Sequence, residues 1–385
     1  MKQLRQTLAV TAIGMSTLPQ RRGTTLVIFI GMLSVVAVLV SMLSITEGVT
    51  SAYVRPSDPA LAVVMDRASP YEGTAAVSRA TYDTILAAPG IAKRADGTLL
   101  ADGQVRVFVP PVEGFVSGSL AIRAIGPLGL TLQPRLEVVE GRMFRAGAQE
   151  LVIGRNIARR FGLTLGSRIS APGGEWPIVG VFADGGSRLE NFLLGDAGTV
   201  MSAVRQDNYG WVLVKLQSPD AFPAFEHWLR TNPTINVSVE RLADHEQRLA
   251  GDDFSLFVKM TYFIAAIMAL GALFGTVKNM YAAVRSRTRD IGTLRAIGFG
   301  GLPIATSILI EAVVISALGA LAGTLLAWLV LDGREIYVWG VFKLRVTLTL
   351  VAVGLAWSTV VALLGGVFPA LRASHISAAE ALRAA

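Results

Sequence analysis

The chain has 385 residues, 52% of them hydrophobic and only 16% charged, with a mean hydropathy of +0.53. This composition excludes an ordinary water-soluble enzyme and a disordered chain, and it indicates a membrane protein. The net charge of +7 is unevenly placed: residues 47–253 hold 20 Lys and Arg against 23 Asp and Glu, leaving 15 against 5 elsewhere. A basic excess beside apolar segments points to an anionic membrane face rather than to nucleic acid. With no cysteine, the sequence offers no disulfide, thiolate metal site or cysteine nucleophile.

In chain order, residues 1–23 read as an N-terminal amphipathic segment, with Leu4, Leu8, Ile13 and Leu18 as candidate lipid-facing positions. Thr24 to Thr46 carries no charge, follows Arg21 and Arg22, and precedes Glu47. At ~1.5 Å per residue it is long enough to cross a hydrocarbon layer of ~30 Å. It exceeds the apolar core of a cleaved signal peptide, so 24–46 is taken as the first span.

Residues 47–253 have the pattern of a water-soluble α+β domain. Val105, Val107 and Val109 alternate with polar or aromatic neighbours and predict a strand, as do Trp211 to Leu216 and Ile178 to Phe182. Asp220 is placed to cap a helix carrying Phe222, Phe225, Trp228 and Leu229 on one face. Gly126-Pro127, Pro172-Gly173-Gly174 and Gly185-Gly186 mark turns. The segment is long enough for one core or two small subdomains.

Three further spans follow at 254–277, 302–331 and 346–371, joined by 278–301 and 332–345 and followed by a tail, 372–385. The predicted fold class is therefore a membrane protein with four transmembrane α-helices, one then three. A large extracytoplasmic α+β domain is inserted between the first and second. Four spans put both termini on one side. The segments on that side carry 11 Lys and Arg, whereas the short loop 332–345 carries Arg334, Lys343 and Arg345 against Asp332 and Glu335. Both termini are thus expected in the cytoplasm, with the large domain outside.

Catalytic signatures are absent or fail on spacing. His227, His245 and His375 are scattered, and His245-Glu246 lacks the second His that a zinc-protease helix needs, since Leu249 stands there. His245 is expected on a solvated helix surface. Asp252-Asp253 point about 100° apart on a helix and are read as an exposed juxtamembrane turn. Gly271 to Lys278 has the wrong spacing for a phosphate loop and no strand before it.

Two regions carry functional signal. The first is the loop from Val284 to Gly298, with Arg285, Arg287, Arg289, Asp290, Ile291, Gly292, Leu294, Arg295, Ala296, Ile297 and Gly298. As one short helix it brings Ile291, Leu294 and Ile297 onto one ridge and stacks Arg285 on Arg289 at i, i+4. Such a helix suits a groove in another protein, or lies as a basic flank on lipid headgroups. The second is Glu311, on the order of 13 Å into its span at ~1.5 Å per residue, where a carboxylate is expected to face the bundle and make a structural hydrogen bond. Beyond it, Ala312, Ser316 and Ala320, and the pair Gly319 and Gly323, permit close helix contact within the chain or across a dimer.

Arg287-Thr288-Arg289-Asp290-Ile291-Gly292 with Leu294-Arg295-Ala296-Ile297-Gly298 closely resembles the signature of MacB/FtsX-like ABC transporter permeases. Glu311-Ala312, Gly319 to Gly323 and Glu380-Ala381-Leu382-Arg383 resemble that family's following span and its C-terminal end. Glu140 to Phe144, Glu150 to Gly154, Gly162 to Gly166 and Trp176 to Phe182 resemble the MacB-type periplasmic core domain. Asp290 stands where the family normally has Glu, and Ala378 where it normally has Pro. The resemblance implies a four-span half-transporter of the type VII ABC class in a bacterial inner membrane. It implies no cofactor in this chain, with ATP and Mg on a separate ATPase partner held at Arg285 to Gly298 as a coupling helix. A permease homodimer or heterodimer, a periplasmic adaptor, an outer-membrane duct and membrane lipids are the other partners implied. The implied work is efflux or lipid and lipoprotein extraction by mechanotransmission. The alternative is FtsX-like activation of a cell-wall hydrolase without transport.

Overall fold

A computed structural model describes residues 2–16, 22–54, 56–69, 72, 74, 76–109, 120–286, 288–337 and 340–375. It opens with helices α1 (Lys2–Ser16) and α2 (Arg22–Tyr53). A run of strands and short helices follows: β1 (Leu61–Asp66), α3 (Arg79–Leu86), β2 (Ala101–Phe108), β3 (Ala121–Ile125), α4 (Gly129–Leu132), β4 (Glu137–Gly141), β5 (Leu151–Gly154) and α5 (Arg155–Phe161). Next come β6 (Arg168–Ala171), β7 (Gly174–Ala183), β8 (Leu193–Asp196), α6 (Ala197–Val204), β9 (Trp211–Lys215), α7 (Phe222–Thr231) and β10 (Val237–Arg241). The chain finishes with α8 (Leu242–Ser286), α9 (Thr288–Ala296), α10 (Gly301–Leu331), a hairpin β11 (Glu335–Tyr337) and β12 (Val341–Lys343), and α11 (Leu348–Ser374). It divides into two compact units, a helical one (Met1–Gly48, Phe254–Arg334, Leu344–Ala385) and a mixed one (Val49–Asp253, Glu335–Lys343). The expected order of one span, a large α+β domain and three spans is present.

In the helical unit, four stretches are long and apolar enough to cross a membrane: Thr25–Tyr53, Val258–Ala282, Gly301–Leu331 and Leu348–Ser374. Their packing relies on residues with little or no side chain. A Cβ at Gly319 would lie 2.7 Å from the Phe29 carbonyl oxygen, and one at Gly323 would lie 2.4 Å from that of Leu33. The glycine pair of α10 therefore brings two backbones together inside one chain, against α2. A Cβ at Gly365 of α11 would lie 2.8 Å from the Thr276 side chain of α8. On α1, Val10 and Gly14 are buried while Leu8 and Ile13 are exposed, so the helix is two-faced. The Leu4 side chain and all of Leu18 lie outside the described residues.

The mixed unit is built on one ten-stranded sheet in the order β10-β1-β9-β2-β3-β8-β5-β7-β4, with β6 paired to β7. Strand β2 joins its halves. Ala101–Gln104 pair antiparallel with β9, and Val105–Phe108 pair with β3. Each half covers its own core. One, around Ile85, Val212, Val214, Phe225 and Leu229, lies under α3 and α7. The other, around Ile122, Ile153, Ile157, Trp176 and Leu193, lies under α5 and α6. The three predicted strands fall in β2, β9 and β7, and the predicted aromatic helix is α7.

Three expectations are corrected here. Asp220 does not cap α7: it lies in a 3-10 turn, Pro219–Ala221, and the N-cap is Ala221, with no side-chain hydrogen bond. Proline at the start of α7 supplies the fixed φ instead. Asp252-Asp253 form no turn, because α8 runs unbroken from Leu242 to Ser286; their side chains lie outside the described residues. Gly271 to Lys278, rejected as a phosphate loop, lies within α8 as expected of a span. Lastly, the loop 332–345 is not plain loop: β11 and β12 belong to the mixed unit, where Val341 N–H donates to Asn191 Oδ1 at 2.9 Å.

The outer-segment motifs have structural reasons. Gly141 has φ +71°, and a Cβ there would lie 2.3 Å from the Val179 carbonyl oxygen, so β4 closes on β7 only with glycine. Arg142 then donates twice to Glu150, at 2.5 and 2.6 Å. That hydrogen bonding holds the Glu150 carboxyl down at about 2.

Candidate functional site

The signature loop falls on the end of α8 and on α9. Arg285 ends α8, Arg287 lies outside the described residues, and Arg289 and Asp290 open α9. Arg285 and Arg289 are both exposed. Ile291 and Gly292 are buried, and Leu294 packs with Ile291 on a cluster drawn from every span: Ile28, Met280, Val284, Ile304, Ile308 and Ala370 among others. Ile297, by contrast, is 71% exposed. The expected ridge of Ile291, Leu294 and Ile297 is therefore split. Two of its members fasten α9 to its own bundle, and the third faces outward.

The end of α9 explains the last motif glycine. Gly298 has φ +99°; its N–H donates to the Arg295 carbonyl at 3.1 Å, and the Phe299 N–H donates to that of Leu294 at 3.0 Å. These two bonds form a Schellman cap, with Gly298 in the left-handed position and Phe299 packed on the same cluster as Leu294. Asp290 in the first turn and Arg295 in the last each match the helix dipole. The exposed surface of α9 is thus Arg289, Asp290, Thr293 and Ala296, with Ile297 and Gly298 beyond its end. Glu311 is half-buried on α10, next to fully buried Ala312, and takes part in a polar interaction. The tail residues 376–385, including Ala378 and Glu380 to Arg383, lie outside the described residues.

The mixed unit holds a second site that the sequence does not announce. His245 is only 2% exposed, not on a solvated surface as expected. Its ring nitrogens lie 3.5 Å from Glu72 and 3.4 Å from Glu240. Glu72 also accepts two hydrogen bonds from Arg188, at 2.8 and 3.1 Å, and has Arg106 and Arg123 at 4.0 Å. Burial opposes its ionisation, yet Arg188, His245 and Arg123 together hold its carboxyl well below the usual carboxylate range. Burial alone would depress His245; hydrogen bonds to Glu240 and Glu72 raise it instead. Glu246, one residue on, is pushed by burial up to about 7 despite nearby Arg188 and Arg123. Sequence reasoning missed Glu72, Arg123, Arg188, His245 and Glu246 as a group. Glu72 and Arg188 are 116 residues apart, and no local spacing connects them. Among the described residues, no group of three or more His, Cys, Asp or Glu is placed to hold a metal ion.

The family comparisons match both units. Residues 23–232 match the MacB-like periplasmic core domain, and residues 262–378 match the FtsX-like permease C-terminal domain. The chain belongs to the MacB/FtsX-like permease family of ABC transporters. Four apolar helices and this core domain make it a multi-pass membrane protein with an extracytoplasmic domain. A macrolide export ATP-binding/permease protein MacB of Shewanella oneidensis is 32% identical over 126 residues, covering 32% of this chain and 19% of that protein. MacB 1 of Aeromonas hydrophila subsp. hydrophila is 26% identical over 264 residues, covering 64% of this chain and 40% of that protein. The permease therefore matches well under half the length of these curated relatives. Among solved structures, the periplasmic region of MacB from Actinobacillus actinomycetemcomitans aligns with a TM-score of 0.37 at 12% identity, over 49% of this chain and 92% of that one. The extracellular domain of the noncanonic ABC-type transporter YknZ from Gram-positive bacteria aligns with a TM-score of 0.36 at 16% identity, over 47% and 99%.

Proposed function

We propose that this permease transmits the ATP-driven motion of a separate ABC ATPase to its extracytoplasmic domain, driving efflux or the extraction of a lipid or lipoprotein. In this reading it sits in a bacterial inner membrane as a dimer, with both termini cytoplasmic. ATP and Mg belong to the partner, and the chain itself catalyses nothing. The coupling surface is the loop formed by Arg285, Arg287, Arg289, Asp290, Ile291, Gly292, Leu294, Arg295, Ala296 and Gly298.

One observation carries the reading. The loop is divided between an inward face that fixes it to all four spans and an outward face of charged and small residues. A push on Arg289 and Asp290 is therefore delivered to the bundle through Ile291 and Leu294 rather than absorbed by a loose loop. The test is the double substitution Arg289→Ala with Asp290→Ala, read by copurification of the ATPase and by ATP turnover of the purified complex. Loss of the ATPase, or turnover that no longer responds to the permease, is expected at unchanged membrane insertion. A double variant that retains both the ATPase and normal turnover rejects the docking surface.

A further inference from the structure

Helix α5 of the mixed unit carries Arg155, Arg159 and Arg160 and no acid. At ~100° per residue, Arg159 and Arg160 lie ~40° and ~140° round the helix from Arg155, while Ile157 and Ala158 lie at ~200° and ~300°. Burial follows that division: Ile157 and Ala158 are buried, Arg159 and Arg160 are exposed, and Arg155 is half-buried. The arginines therefore share the outward face. Among the described residues, none of the three makes an ion pair or a hydrogen bond through its side chain, and Arg160 only stacks on Tyr337, 5.4 Å from the ring centre.

The elements packed on α5 leave this charge uncompensated. The 3-10 turn Arg188–Asn191 brings Glu190, which is buried and accepts from the Asp184 and Gly186 N–H groups at 2.7 and 2.6 Å. Strand β7 brings Glu175, and the hairpin brings Glu335, which stands opposite Lys343 in register. Neither is ion-paired with an arginine of α5.

The hairpin also limits how far α5 can stand from the membrane. Phe161, the last residue of α5, meets Tyr337 of β11 edge-on, with ring centres 5.6 Å apart. Tyr337 is the sixth residue after Leu331, where one apolar helix ends, and Lys343 of β12 is five residues before Leu348, where the next begins. Between helix and strand the two arms stay paired: Gly333 N–H donates to the Leu344 carbonyl at 3.0 Å, and Val346 N–H to Asp332 Oδ1 at 3.0 Å. At ~3.4 Å per residue, covalent reach alone holds Tyr337 within ~20 Å of the helix end. The headgroup layer takes up ~5–8 Å of that distance. An arginine side chain and a screening length of ~8–10 Å cover the remainder.

We propose that the outward face of α5 docks on anionic phospholipid headgroups of the extracytoplasmic leaflet. Guanidinium groups present paired N–H donors that match phosphate oxygens. Tyr337 beside them has the apolar body and polar tip that suit the headgroup level. Residues 47–253 as a whole carry 20 Lys and Arg against 23 Asp and Glu, so the attraction is local to this face rather than general to the domain. The short connection to two apolar helices selects a lipid over an acidic protein. The inference rests on the membrane-spanning fold and is independent of the ATPase surface.

The chain has no native cysteine, so a single introduced one can report on the face. Asn156→Cys falls between the arginines, ~100° round from Arg155, and Ala80→Cys, exposed on α3, is the control. Each full-length variant is placed in nanodiscs of phosphatidylcholine with or without phosphatidylglycerol, and alkylation by an uncharged maleimide is timed. Phosphatidylglycerol should slow the reaction of Asn156→Cys about fivefold or more and leave that of Ala80→Cys unchanged. The protection should vanish at about 0.5 M salt, where the screening length falls to ~4 Å. It should vanish as well when Arg155→Gln, Arg159→Gln and Arg160→Gln are combined. Should that triple variant fail to fold, Arg155→Gln with Arg159→Gln, which spares the stack on Tyr337, carries the same test. Equal rates in the two lipids, equal slowing of Ala80→Cys, or protection that survives the arginine substitutions would each overturn the proposal. So would the same protection by inorganic phosphate in phosphatidylcholine alone, which would assign the face to a free anion.

Discussion

The two units bring their elements together by opposite means. In the helical unit, contact depends on side chains that are missing: Gly319 and Gly323 let α10 lie against the α2 backbone, and Ala312, Ser316 and Ala320 are all completely buried. In the mixed unit, two apolar cores are accompanied by a cluster in which one carboxylate, Glu72, serves Arg188, Arg123, Arg106 and His245. Lipid tails are as apolar as leucine, so a bundle in a membrane gains its specificity from close backbone approach. A water-soluble domain gains much of its stability from apolar burial and can hold a charged cluster as well, provided every charge has its partner. The consequence is a difference in fragility: the bundle fails by overcrowding, the cluster by losing one group.

Glu72→Gln attacks the cluster where it is weakest and should have the largest effect. It leaves Arg188, Arg123 and His245 buried without their shared counter-charge, a situation that costs about 3–5 kcal/mol. Chemical denaturation of the detergent-solubilised chain, followed by tryptophan fluorescence, should show the mixed unit unfolding earlier. A midpoint within error of wild type would mean that the cluster contributes specificity but little stability.

Gly323→Leu tests the bundle instead. Its new side chain meets the Leu33 carbonyl, and overpacking of this kind costs about 1–3 kcal/mol. Gly271→Leu is the matched control, since a Cβ there meets nothing within 4 Å. The pair should differ in thermal aggregation of the solubilised protein while the stability of the mixed unit stays the same in both. Equal behaviour of the two variants would show that the α2 and α10 contact is not what limits the bundle.

The same contrast explains what was legible in the sequence. Spans are visible because hydropathy is local, and Gly319 with Gly323 is visible because helix period places them together. The order of elements and the strands at Val105, Ile178 and Trp211 follow from alternation. Which helix the glycines touch was left open, and the structure assigns it to α2. The signature loop was half legible: Ile291 and Leu294 are apolar at helical spacing, but whether such residues face a partner or their own bundle depends on tertiary packing. His245 misled for the same reason. Its neighbours along α8 are polar, and the two carboxylates that bury it come from β10 and from a loop far back in the chain.

The smallest expected effect has the opposite sign from the others and is the sharpest test of the charged region. Glu246 titrates at about 7 when folded, against an ordinary value of 4.5, because burial disfavours its charge. Between those values the unfolded chain releases the proton while the folded chain keeps it, so this group lowers stability progressively as pH rises from about 4.5 to about 7. Above that window the penalty is constant. Glu246→Gln removes the titration, so its stability relative to wild type should be more favourable at pH 8 than at pH 5 by about 2 kcal/mol. Unlike Glu72, then, Glu246 is a carboxylate the fold would be steadier without. A variant no more stable than wild type at pH 8 would instead show Glu246 to be paired within the cluster, and the distinction between the two carboxylates would disappear.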